Sequence, residues 1–191
     1  MTDEQETRKR ILETAFELFM SKGFLNTSMG DIIGETGISK GGLYHHFDSK
    51  YDLARNCLFH WAEKEMGYLL IPGVNDGKTP EQRISDFIDV GLEVMVGNRQ
   101  IGRFFFELYQ AAIEEERDLQ IWEDFLEGYV GYVEEIYSRM GAKDPKMLSY
   151  VLMSSLDGMA LYYVILSRNK TEFDVEALRK QYRKTFIENV K

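Results

Sequence analysis

The 191-residue sequence has one cysteine, Cys57, and three prolines. A single thiol excludes a disulfide framework and a cysteine-rich zinc site, and it suits a reducing cytoplasm. Three prolines beside sixteen glycines exclude collagen-like and low-complexity structure. No apolar run reaches the roughly 18 residues of a membrane span. The longest, Met159–Leu166, follows Asp157. The N-terminal stretch Met1–Arg10 is polar and has no signal-peptide apolar region. The expectation is a cytoplasmic protein with no membrane partner. Hydrophobic residues make up 44% and charged residues 29%, the balance of a globular chain.

Basic residues are also in deficit. The 32 acidic and 23 basic side chains give a net charge of −9. By itself that argues against a nucleic-acid partner, but distribution matters more than the sum. Thr7–Arg55 holds seven basic and six acidic residues, so this stretch is slightly positive. Glu107–Glu135 holds ten acids and one base, Arg117. Two halves of different electrostatic character suggest two tasks.

Helix signals are present throughout. Ile11, Leu12, Ala15, Phe16 and Phe19 recur at helical spacing and predict a helix over Gln5–Ser21, ended by Gly23. Ser28 is a good N-cap for a second helix stopping at Gly37, and Ser39 opens a third reaching Phe47. A fourth is expected over Ser49–Leu70, followed by a turn-rich linker, Ile71–Lys78. Thr79, Pro80 and Gln82 form a capping box with proline at the first helical position. Further helices are expected near residues 100–113, 118–140, 145–168 and 174–189. The reading is an all-α protein of about nine helices. Residues 1–50 form an N-terminal three-helix domain, the helix over 49–70 connects, and 51–191 form a second helical domain.

Enzyme signatures are missing. There is no Walker loop, dinucleotide fingerprint or HExxH motif. Cys57, His60 and Glu63 follow one another on one predicted helix, but no second string completes a metal site. The expectation is a non-enzyme without cofactor or metal.

Thr27–Lys50 is the informative stretch. Two short helices are joined by Glu35-Thr36-Gly37-Ile38-Ser39, the spacing of a helix-turn-helix whose second helix enters the DNA major groove. With Leu43 at 0° and about 100° per residue, Phe47 falls at about 40°, Gly41 at about 160° and His45 at about 200°. Leu43 and Phe47 therefore define the buried side. Gly41 and His45 face away from it, toward base edges. Tyr44 and His46 lie on the flanks, toward phosphates. Ser39 and Lys40 open the reading helix and Lys50 opens the next; with Thr27 and Ser28 they are further expected phosphate contacts.

Gly23-Phe24, Thr27-Ser28-Met29, Ile32, the run Gly37 to Phe47, Ser49-Lys50 and Leu53 together resemble the TetR family of bacterial transcriptional regulators, over about residues 8–55. The resemblance implies a homodimer on a palindromic double-stranded operator, usually repressing. A small molecule in the C-terminal domain would spread the two DNA-reading heads. The resemblance points to Ser39, Lys40, Tyr44, His46 and Lys50 as phosphate contacts and to Gly41 and His45 as base-proximal. Gly42 stands where the family often has a bulkier residue. Gly34 weakens the second helix by about 1 kcal/mol relative to alanine. The alternative reading is a helical ligand-binding or enzyme-like bundle with a vestigial helix-turn-helix.

The predicted eighth helix is apolar on two adjacent sides and must bury both. Leu152, Ser155, Gly158 and Tyr162, with Leu178, Tyr182 and Phe186 of the ninth helix, are expected at a four-helix dimer interface. Arg179, Lys180, Arg183 and Lys184 are expected on a solvated face. Candidate ligand-lining residues are Met95, Phe104, Phe105, Glu107, Tyr109, Trp122, Phe125, Tyr129, Met153 and Asp157. Acids among aromatics suit a hydrophobic, cationic small molecule.

Overall fold

The computed structural model describes residues 3–66, 77–93, 99–115, 119–166 and 174–190. These residues form α1 (Asp3–Lys22), α2 (Met29–Thr36), α3 (Lys40–His46), α4 (Lys50–Met66), α5 (Pro80–Gly91), α6 (Arg99–Glu115), α7 (Leu119–Met140), α8 (Pro145–Leu166) and α9 (Val175–Arg183). No strand occurs among them. After α9 the expected continuous helix widens into a π-helical turn over Lys184–Glu188. There the Tyr137 hydroxyl donates to the Phe186 carbonyl at 3.1 Å, an external partner for that backbone group.

The chain divides into two compact units, Met1–Glu65 with Arg103–Arg117, and Met66–Gly102 with Asp118–Lys191. Most of α4 and of α6 thus belongs with the N-terminal helices, whereas the sequence expectation closed that domain at residue 50.

In the first unit α1 buries Ile11, Leu12, Ala15 and Phe19 along one stripe, as its periodicity predicts. Phe104 of α6 stacks on Phe19 with ring centroids 5.3 Å apart and meets Phe16 edge-on at 6.1 Å. Full burial of such a ring contributes about 1.5–3 kcal/mol. From α4, Leu53, Ala54 and Leu58 are also fully buried. Cys57 is buried too, and its thiol donates to the Leu12 carbonyl at 3.3 Å. Burial pushes the thiol far above its ordinary pKa, so it is held protonated.

In the second unit Ile84, Phe87, Ile88 and Leu92 from α5 and its end share a core with Val133, Ile136 and Tyr137 of α7. Leu152 and Leu156 of α8, together with Tyr182, Phe186 and Val190, complete it. Asp89 on α5 pairs with Arg179 at 2.9 Å and Arg183 at 2.6 Å. Two of the four basic residues expected on a solvated face of α9 therefore tie it to α5, while Lys180 and Lys184 are exposed.

α8 holds no unbroken apolar run of span length, since Asp157 interrupts it, yet its averaged hydropathy reaches that of a span. Its 22 residues would suffice by length and composition alone. It is long and apolar because it carries two apolar faces. Ser149, Leu152, Leu156 and Ala160 are buried on one. On the other, Met147, Val151, Tyr162 and Ile165 are 49–60% exposed.

Candidate nucleic-acid interface

Each end of the α2–α3 pair is specified locally. Ser28 caps α2: its hydroxyl accepts the Asp31 N–H at 3.1 Å, and the Asp31 carboxylate accepts the Ser28 N–H at 2.8 Å. The Ser28 hydroxyl also donates to the Asp31 carboxylate at 2.5 Å; that bond, with the one from the Ser28 N–H and the Lys22 ammonium at 3.2 Å, holds the Asp31 carboxyl down at about 2. Gly37 closes α2 at φ +67° and donates to the Ile33 carbonyl at 3.0 Å. Only glycine adopts that left-handed turn without strain. Ser39 then caps α3 by accepting the Gly42 N–H at 3.1 Å.

On α3 the projection from sequence is matched by burial. Leu43 and Phe47 are 0% and 1% exposed, while Lys40, Gly41, Tyr44 and His45 are exposed. His46 is half-buried, its ring against Phe47 and edge-on to His45 at 5.3 Å. His45 Nε2 lies 3.8 Å from the Glu4 carboxylate. Sequence reasoning did not single out Glu4; its only signal is the acidic first turn of α1.

Gly41 and Gly42 differ sharply. A Cβ on Gly41 meets nothing within 4 Å, whereas one on Gly42 would stand 2.9 Å from Ile38 Cγ1. Gly42 is the point at which α3 closes on the turn. Gly41→Ala is therefore expected to raise stability by up to about 1 kcal/mol through helix propensity. It should weaken DNA binding, because the methyl stands on the face turned from the core. Thermal unfolding and DNA titration of the same preparation check the two opposite signs.

Three expected phosphate contacts already have partners within the subunit. Thr27 is 1% exposed, and its hydroxyl donates to the Gly23 carbonyl at 2.8 Å. Ser28 is occupied by Asp31, which also places a negative charge at the start of α2. Lys50 Nζ donates to the Phe24 carbonyl at 3.0 Å and lies 4.4 Å from the Phe24 ring centroid. These side chains build the frame under the reading helix. Ser39, Lys40, Tyr44 and His45 remain on the open side.

Residues 11–57 match the family described as bacterial regulatory proteins, tetR family. A solved transcriptional regulator from Aquifex aeolicus is 27% identical, with a TM-score of 0.62 over 94% of this chain and 96% of that one. Residues 11–57 thus carry the sequence of a tetR-family N-terminal DNA-binding domain. AcrR of Shigella flexneri, a helix-turn-helix-type transcriptional regulator, is 38% identical over 65 residues, 34% of this chain and 30% of AcrR. UidR of Escherichia coli K12 is 42% identical over 65 residues, 34% of this chain and 33% of UidR. The match thus spans about a third of the length of these curated relatives.

Beyond the helix-turn-helix, several residues lie elsewhere than their sequence reading placed them. Of the expected dimer set, Leu152, Tyr182 and Phe186 are buried in the core of the second unit and Leu178 packs against it. They complete one subunit's interior. The Ser155 hydroxyl donates to the Leu152 carbonyl at 2.8 Å. Gly158 and Tyr162 lie on the uncovered side of α8 with Met147, Val151, Ser154 and Ile165, all within about 80° at 100° per residue.

The expected ligand set is divided. Met95 lies outside the described residues. Phe104, Phe105, Glu107 and Tyr109 belong to the first unit. Phe104 is core there, and Phe105 and Tyr109 meet edge-on at 4.7 Å. Glu107 pairs with Arg103 and accepts the Leu25 N–H at 3.2 Å, so its charge is already answered. Trp122, Phe125 and Tyr129 form an edge-to-face ladder along α7 in the second unit, with centroids 6.0 and 4.8 Å apart. Met153 and Asp157 also lie in that unit. Asp157 makes no hydrogen bond or ion pair among the described residues, and burial raises its carboxyl to about 6.

Among the described residues no group of three His, Cys, Asp or Glu is placed to hold a metal ion.

Proposed function

We propose that the protein is a cytoplasmic homodimeric repressor. It binds a palindromic operator through α3 and is released by a hydrophobic small molecule held in its second unit. The observation that carries this reading is α3 itself. Leu43 and Phe47 anchor it, while Gly41, Tyr44 and His45 stand open on the other side. The uncovered stripe of α8 supports dimerisation, since an isolated subunit would leave that apolar face in water. The deciding experiment is a salt titration of DNA binding, with the site taken from genomic DNA retained by the purified protein. Log affinity should fall linearly with log salt, by about 0.9 per phosphate neutralised. Affinity that is absent, or insensitive to salt, would refute the reading.

Asp157 suggests the charge of the released ligand. Its folded pKa of about 6 exceeds the ordinary 3.8, so this group's contribution to stability is full below about pH 4 and is lost as pH rises to about 6. A bound cation should offset that loss only where the carboxylate is ionised. Lipophilic cations are therefore expected to raise the melting temperature more at pH 7 than at pH 5, and more than matched neutral analogues. Equal shifts at both pH values would remove Asp157 from recognition.

A further inference from the structure

The first unit contains a polar group that neither the helix-turn-helix nor the core requires. On α6, Arg103 and Glu107 stand one turn apart, Nε to Oε1 at 3.7 Å. Each also reaches a backbone group around the end of α1. The Arg103 guanidinium donates to the Met20 carbonyl at 3.2 Å, and the Glu107 carboxylate accepts the Leu25 N–H at 3.2 Å. Gly23 lies beneath them at φ +92°; a Cβ on it would stand 3.2 Å from both Glu107 oxygens and 3.3 Å from Arg103 Cζ. Glycine lets the turn adopt its left-handed shape and lets both side chains close over it. The Leu25 side chain is 63% exposed, so apolar packing does not hold this part of the turn. Two residues further on, Thr27 binds back to the Gly23 carbonyl, and Ser28 caps α2. A continuous series of hydrogen bonds and chain links therefore joins α6 to the first residue of the DNA-reading pair.

We propose that Arg103 and Glu107 form a polar clamp through which α6 positions the helix-turn-helix pair for operator binding. They are positioning residues, since neither lies on α2 or α3. Their contacts are directional: arginine donates to a carbonyl and glutamate accepts from an amide, each bond assisted by charge. The clamp also predicts an effect opposite in sign to simple electrostatics. In a chain of net charge −9, removing an acid should strengthen attraction to DNA. Replacing this acid by a side chain that cannot accept the Leu25 N–H should weaken binding.

The test compares Glu107→Met with Glu107→Gln. Both lose the same charge, but only glutamine keeps an acceptor for the Leu25 N–H. The affinity measurement rests on the operator-binding reading above; amide exchange at Leu25 does not. Against a site enriched from random DNA by the wild type, Glu107→Met should bind about 10-fold more weakly, the loss of one charge-assisted hydrogen bond. Its salt slope should be unchanged, because no phosphate contact is lost. Its Leu25 amide should exchange at least about 10-fold faster. Glu107→Gln should stay close to wild type in both. The double exchange Arg103→Glu with Glu107→Arg restores the ion pair but sets an acceptor against a carbonyl and a donor against an amide. It should be as weak as Glu107→Met. Binding by Glu107→Met as tight as wild type, unchanged Leu25 exchange, or rescue by the double exchange overturns the clamp. A wild type that binds no DNA overturns the operator reading, and with it the clamp's role in binding. That outcome is told apart by Leu25 exchange, which Glu107→Met still accelerates.

Discussion

Gly158→Leu is expected to turn the protein into monomer or aggregate and to lower operator affinity by at least about 100-fold, because each head alone makes half the contacts. Gly158 sits at the middle of the uncovered α8 stripe, between Val151 and Ser154 on one side and Tyr162 and Ile165 on the other. A Cβ added there meets nothing within 4 Å in the single subunit. The substitution therefore disturbs no internal packing, and by helix propensity it favours α8 by up to about 1 kcal/mol. Its harm must come from whatever closes on α8 from outside. Sedimentation and thermal unfolding separate the two effects. Loss of the dimer with no loss of helical structure is the expected result. A wild type that sediments as a monomer at micromolar concentration, or a leucine variant that remains dimeric, contradicts it.

His45→Ala should relax sequence selectivity at one or two positions per half-site, by about 1–3 kcal/mol for each base pair affected. The His45 side chain is 73% exposed and lies on the side of α3 opposite Leu43 and Phe47. Nothing in the core depends on it, so the variant should fold and retain its phosphate-derived salt slope. Selection from a random DNA pool with wild type and variant in parallel decides the matter. An identical motif from both would take His45 out of base readout. Glu4, 3.8 Å from the ring, is the control: Glu4→Gln should leave the preferred bases unchanged while strengthening binding to all sequences alike.

What was legible in the sequence is what neighbours in the chain decide. Ser28, Gly37, Ser39, and Thr79 with Gln82 are caps and turns closed within a few residues, and the structure shows each of them. The buried stripes of α1 and α3 followed from periodicity for the same reason. What was not legible depends on partners far away in sequence. Thr27 looked like a surface hydroxyl until the left-handed turn at Gly23 brought a carbonyl beneath it. Lys50 read as a phosphate contact because nothing local indicates that Phe24, 26 residues earlier, offers both a carbonyl and a ring. Arg179 and Arg183 read as solvated until α5 placed Asp89 beside them. Phe104 and Glu107 stand in one segment with the aromatics that suggested a pocket. Only the tertiary arrangement assigns the first to the core and the second to the α1–α2 turn.

The buried thiol of Cys57 has a practical consequence. A chain whose sole sulfhydryl is enclosed and protonated stays silent to maleimides and iodoacetamides while folded. A second cysteine placed at an exposed position such as Gln110 on α6 can then carry a fluorophore or spin label with the native residue still in place. Distances between two such labels in an assembled pair would follow the separation of the DNA-reading heads directly, with and without operator.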